Sequence, residues 1–104
     1  VKTSEILSDA RGRLDRGWCQ GTSADEHGNL CAMAAVSAAV LYAKQLGVET
    51  HTVFPHPSDA LSEKVKEFGS YETVVQFNDD PRTSKQDVLN LFDKAILGLQ
   101  EKGR

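Results

Sequence analysis

The sequence predicts a mainly α domain, a small bundle of about four helices with a short two-stranded β element. Two observations carry this expectation. Apolar residues recur at helical spacing in separate segments, and each segment is bounded by glycine, proline or polar turn residues.

Ser4 to Arg16 is the first segment, with Ile6, Leu7, Ala10 and Leu14 on one stripe. Ser4 is placed to cap it and Gly17 to end it, although Gly12 weakens the interior. Residues 20–29 are turn chemistry and predict a loop. Leu30 to Leu46 follows, closed by Gly47. Alanine and valine surround most of its circumference, the pattern of a central helix packed on several sides. Ala34, Ala35, Ala38 and Ala39 would let neighbouring helices approach closely.

Val48 to Phe54 reads as extended, because Thr50, Thr52 and Val53 are β-branched and Pro55 turns Phe54 away from helix. Ser58 is placed to cap a short helix through Phe68, with Leu61, Val65 and Phe68 in phase and Gly69 as the stop. Glu72 to Phe77 reads either as a second short strand, which would pair residues 50–54 with 73–77, or as an irregular extended run. Asn78-Asp79-Asp80-Pro81 reads as a turn. Thr83 with Gln86 makes a capping box for the last helix, whose stripe is Val88, Leu89, Phe92, Ala95, Ile96 and Leu99. Gln100 to Arg104 is expected to fray.

At 104 residues the chain is expected to be one domain, residues 1–104, with a single core and no need of staples. Charged residues make up 26% and the net charge is −3, which argues against nucleic acid as a partner. Lys64, Lys66, Lys85 and Lys94 are interleaved with Glu63, Glu67, Asp87 and Asp93, as on a solvated helix face. No segment reaches the ~18–20 apolar residues that cross a bilayer, so no membrane partner is expected. Val1 to Asp15 mixes charge throughout, unlike a signal peptide. A cytoplasmic location with two reduced thiols is the expectation.

Three chemistries can be weighed on residue types. Cys19, His27 and Cys31, with His51 or His56, offer zinc-type ligands, but the close pair that presents two ligands from one knuckle is missing. No metal is expected. Cys31 opens a helix, where the macrodipole favours a thiolate, and the order Cys, His51 or His56, then Asn78 or Asp79 matches a triad's roles. That order alone is weak evidence. Asn78, Asp79 and Asp80 lack the alternating ligands of a calcium loop, and Gly17 and Gly21 lack the strand and helix context of a phosphate loop. No cofactor is expected.

The segment Gly17-Trp18-Cys19-Gln20-Gly21 holds the only tryptophan. As a core anchor, Trp18 would need an acceptor for its indole N–H. As an exposed anchor it would bind a partner. Gln20 beside it serves either role.

Three separated motifs, Arg16-Gly17-Trp18-Cys19-Gln20-Gly21, Gly28-x-x-Cys31-x-x-Ala34-Ala35 and Val75-x-Phe77-Asn78-Asp79-x-x-x-Thr83-x-x-Asp87-Val88-Leu89, occur in order. The last continues to Asp93-x-Ala95-Ile96. Together they resemble a family of small bacterial and phage proteins of unknown function that carry Trp-x-Gln, Cys-x-x-Gly-Ala and Asn-Asp…Thr…Val-Leu stretches. Residues 47 to 71 lie outside the match, and Ala34 stands where a glycine is usual, which relaxes any close backbone contact there. The resemblance implies a mostly helical, cytoplasmic domain with a phage accessory role, and it supplies no catalytic residues.

Each motif lies where a loop meets a helix. They are therefore expected to meet in space, with Asn78 and Asp79 capping backbone groups of the Trp-Cys-Gln loop. The functional expectation is a non-enzymatic protein-interaction module, a phage accessory protein acting on a host protein. Its binding residues would be Trp18, Gln20, Asn78 and Asp79, and no catalytic residue is assigned. The alternative is a thiol-dependent hydrolase or transferase using Cys19 or Cys31.

Overall fold

In the computed structural model, which describes residues 1–104, five α-helices form: α1 (Thr3–Arg16), α2 (Ala32–Gln45), α3 (Pro57–Val65), α4 (Val74–Asp79) and α5 (Lys85–Glu101). Single 3-10 turns occupy Thr50–Thr52 and Lys66–Phe68. The mainly α expectation holds. Extended pairing is confined to isolated bridges of Leu30 with Trp18 and with Ala24.

The stripes expected of α1 and α5 face each other across one core. Leu7, Leu14, Leu61, Val88, Leu91 and Phe92 are wholly excluded from solvent, each contributing about 2 kcal/mol of apolar burial. Helix α1 packs between α5 and α2, and α3 lies against α5.

Helix α2 departs from the expected central position. Ala32, Ala35, Val36, Ala39 and Ala43 are buried, but Leu41, Tyr42 and Leu46 remain 57%, 49% and 65% exposed. Its packing partners α1, α3 and α4 leave one side of the helix uncovered. An apolar circumference was the signal for burial all round; the chain itself covers only the alanine face.

The expected β pair does not form. In the first half, Thr52 Oγ1 donates to the Glu49 carbonyl and the Val53 amide to that of Thr50, which closes a 3-10 turn. In the second, Thr73 Oγ accepts from the Gln76 amide while Gln76 Oε1 accepts from the Thr73 amide. This capping box starts α4, and side chain to backbone bonds thereby override β-propensity. Asn78 and Asp79 consequently sit in the last turn of a helix, and the chain reverses only at Asp80.

Three caps also move. Helix α1 begins before Ser4, which is buried, and Glu5 accepts from the Lys2 amide at 2.9 Å. His56 Nδ1, not Ser58, caps α3 by accepting from the Ser58 amide, with Pro57 at the first helical position. Ser84, not Thr83, caps α5: its hydroxyl accepts from Asp87, whose carboxylate accepts from the Ser84 amide. Thr83 is buried instead. The expected fraying of residues 100–104 is replaced by anchoring. The Arg104 carbonyl accepts from the Ser4 amide at 3.1 Å, and the Arg104 guanidinium lies 5.3 Å from the Phe54 ring centre.

Candidate functional site

Chain reversal after α1 creates the site. Gly17 ends the helix in extended conformation, with φ −178°, so no left-handed geometry requires glycine there. Space does: a methyl group at residue 17 would overlap Asn29 Oδ1. Asn29 is fixed in turn by Asp25, whose carboxylate accepts from the Asn29 side-chain and main-chain N–H groups at 2.9 Å each. Leu30 then bridges back, its amide donating to the Gly17 carbonyl and its carbonyl accepting from the Cys19 amide. The loop is thereby closed on the end of α1, and Trp18 is presented toward α4.

Trp18 is half-buried and packs against the core. Its indole N–H donates to Asn78 Oδ1 at 2.8 Å. The same oxygen accepts from the Ala32 amide, the first residue of α2, at 3.0 Å. Asn78 Nδ2 donates to the Cys19 carbonyl at 3.2 Å and to Asp79 Oδ1 at 2.9 Å. Two donors and two lone pairs are all a carboxamide has, so this side chain, 2% exposed, is fully used. The partners also fix its orientation, since a flipped amide would set N–H groups against two donors.

Gln20 and Asp79 complete the junction. Gln20 Nε2 lies within bonding distance of the Asn78, Asp80 and Thr83 carbonyls at 3.0, 2.8 and 3.3 Å. Asp79 Oδ1 accepts from the Gly21 amide at 3.0 Å. All four singled-out residues, Trp18, Gln20, Asn78 and Asp79, therefore meet at one place, and the acceptor expected for the indole is Asn78. The Trp18 indole N–H, both ends of the Asn78 carboxamide, Gln20 Nε2 and Asp79 Oδ1 are engaged with the protein itself.

Tyr71 and Arg82, neither singled out by the sequence, extend the junction through Asp80. Asp80 accepts from the Tyr71 hydroxyl at 2.6 Å and from the Arg82 guanidinium and amide. The Arg82 guanidinium, followed by the Tyr71 hydroxyl, holds the Asp80 carboxyl well below the usual range. Tyr71 stacks edge-on to Phe77 at 5.2 Å and also crowds Gly69, whose φ of +146° suits glycine alone. Asp-Pro-Arg reads as an ordinary turn, and the Tyr71 contact lies outside any local pattern, so no sequence signal points to this cluster.

The two thiols flank the junction. Cys31 Sγ caps α2 by accepting from the Ala34 amide at 3.4 Å. Cys19 Sγ lies within bonding distance of the Asn29 and Thr22 carbonyls at 3.4 and 3.6 Å. Burial, then the nearby Asp25 carboxylate, pushes the Cys19 thiol above its ordinary value. Neither sulfur is hydrogen-bonded to His27, His51 or His56, and His56 is occupied in capping α3. Nowhere do three His, Cys, Asp or Glu side chains gather as metal ligands. No helix is long and apolar enough to cross a membrane. Beside the junction runs a groove of about 250 Å³, which Cys31, Met33, Val75 and Thr22 help to line.

The model of a family of unknown function, DUF6197, matches residues 1–97. No curated protein and no solved structure matches the chain.

Proposed function

We propose that this chain, which belongs to the DUF6197 family of unknown function, is a non-enzymatic protein-interaction module that docks through the outer face of α2. The single observation that carries this reading is the uncovered side of that helix. Leu41, Tyr42 and Leu46 are about half or more exposed, and Lys44 is the only charged residue in α2. A helix apolar on all sides is usually enclosed; here a partner would supply the missing cover. Arg13 lies 5.7 Å from the Tyr42 ring centre and helps to hold that aromatic in place.

Trp18, Gln20, Asn78 and Asp79 serve this reading by positioning. Asn78 grips the first amide of α2, and Trp18 grips Asn78. The junction thus fixes where α2 starts and how its outer face is aimed. The resemblance to small bacterial and phage proteins supports a host protein as partner and modulation of that host protein as the role. The thiol-dependent hydrolase or transferase has less support, because burial and the nearby Asp25 carboxylate raise the Cys19 thiol pKa and no base contacts either sulfur.

A photo-crosslinking residue at position 41, compared with one at the exposed Asn90 on α5, tests the reading in host lysate. Position 41 should give an adduct that unlabelled wild-type protein competes away and Leu41→Lys/Leu46→Lys protein does not. Absence of any such adduct, or equal competition by both proteins, would count against the α2 face.

A further inference from the structure

We propose that Cys19 and Cys31 form an intramolecular disulfide by exchange with a low-molecular-weight disulfide of the glutathione type. This inference is independent of the docking surface. It rests on register. Trp18 and Leu30 form a parallel bridge, with the Leu30 amide bonded to Gly17 and its carbonyl to Cys19. Cys19 and Cys31 are the next positions along the two segments. Paired positions of neighbouring extended chains stand about 5 Å apart, within the Cα separation a disulfide spans. Side chains alternate along an extended chain, so both cysteines point to the face opposite Trp18 and Leu30. Cys19 Sγ also lies 3.4 Å from the carbonyl of Asn29, two residues before Cys31 on the neighbouring segment. A charge on Cys31 also disfavours ionisation of Cys19, as expected of neighbours.

Both cysteines are partly buried. Cys31 is the one that lines the open groove beside the junction, together with Gly21, Ser23 and Val75, so it is assigned the first attack on an external disulfide. Its thiolate attacks one sulfur of the small disulfide, the S–S bond breaks, and one small thiolate leaves as the mixed disulfide forms on Cys31. Cys19 gives up its proton to water and attacks Cys31 Sγ, expelling the second small thiolate. Two protein thiols have then lost two electrons and two protons, and the small disulfide has been reduced to two thiols. The only bonds surrendered are the weak sulfur contacts to Ala34, Asn29 and Thr22.

The experiment equilibrates purified protein in mixtures of reduced and oxidised glutathione, quenches with an alkylating agent, and reads intact mass. Oxidised wild type should lose the mass of two hydrogens and carry neither glutathione nor alkyl label. Cleavage after Glu26 should yield two peptides joined only in the oxidised sample. Cys19→Ser should stop at one glutathione on Cys31, whereas Cys31→Ser should acquire glutathione far more slowly. Wild type that stays doubly alkylated throughout, that keeps a stable glutathione adduct, or that links between chains on a non-reducing gel would overturn the proposal.

Discussion

Trp18 and Asn78, 60 residues apart in the chain, are joined by a 2.8 Å hydrogen bond from the indole N–H to the carboxamide oxygen. That oxygen also receives the Ala32 amide. One buried side chain therefore ties the end of α1, the start of α2 and the last turn of α4 together. Losing it leaves donors that have no other partner in the protein.

Gly17→Ala should destabilise the fold by about 1–3 kcal/mol through overpacking against Asn29, read from urea unfolding. Backbone strain plays no part, because φ at residue 17 is accessible to alanine. Combining Gly17→Ala with Asn29→Ala should therefore cost less than the two single changes added together. Strict additivity would refute the steric explanation.

The Asp80 carboxylate is bound by Arg82 and Tyr71, and its folded pKa is depressed. A depressed carboxyl pKa adds stability that is present above the unfolded value of about 3.9 and is lost as pH falls toward the lower folded value. Wild type should thus exceed Asp80→Asn in urea midpoint at neutral pH. The gap should narrow as pH drops below about 4. A gap independent of pH would mean that the charge is irrelevant.

Alkylation of Cys19 should be slow at neutral pH. In Cys31→Ser protein its rate should rise to half-maximum only above the ordinary thiol range, because burial and Asp25 disfavour the thiolate. Fast labelling near pH 7 would instead revive thiol catalysis at this position.

Ser84→Ala should cost about 1 kcal/mol, the usual value of a lost N-cap. Gln86→Ala should cost clearly less, since Asp87 and not Gln86 closes the box. The reverse order, read by thermal or urea denaturation, would restore Thr83 and Gln86 as the cap.

Those two neighbouring hydroxyls illustrate how the sequence can be read and where it misleads. Helices α1 and α5 are legible because a dozen or more residues repeat Leu, Ile and Val at the helical period. Their exact starts are not, since Thr83 and Ser84 can both cap and only the burial of Thr83 decides. Helix α4 is six residues long, too short to display a period, so Val74, Val75 and Phe77 look like a strand. The Thr73 and Gln76 pair was the available sign of a helix. The junction was legible in outline, because a tryptophan needs an acceptor and loops that feed helices need caps. That Asn78 would satisfy four groups at once, and that Tyr71 would reach Asp80, depends on tertiary placement with no local pattern. For α2 the apolar circumference reports a need for cover without saying whether the same chain supplies it.

A double-mutant cycle of Trp18→Phe and Asn78→Ala, measured by urea unfolding, bears most directly on the junction. The two substitutions should be coupled by about 1 kcal/mol or more, the range for residues that share a hydrogen-bond network. Costs that add to within about 0.3 kcal/mol would mean that Trp18 and Asn78 contribute separately and that no such joint holds the three helices.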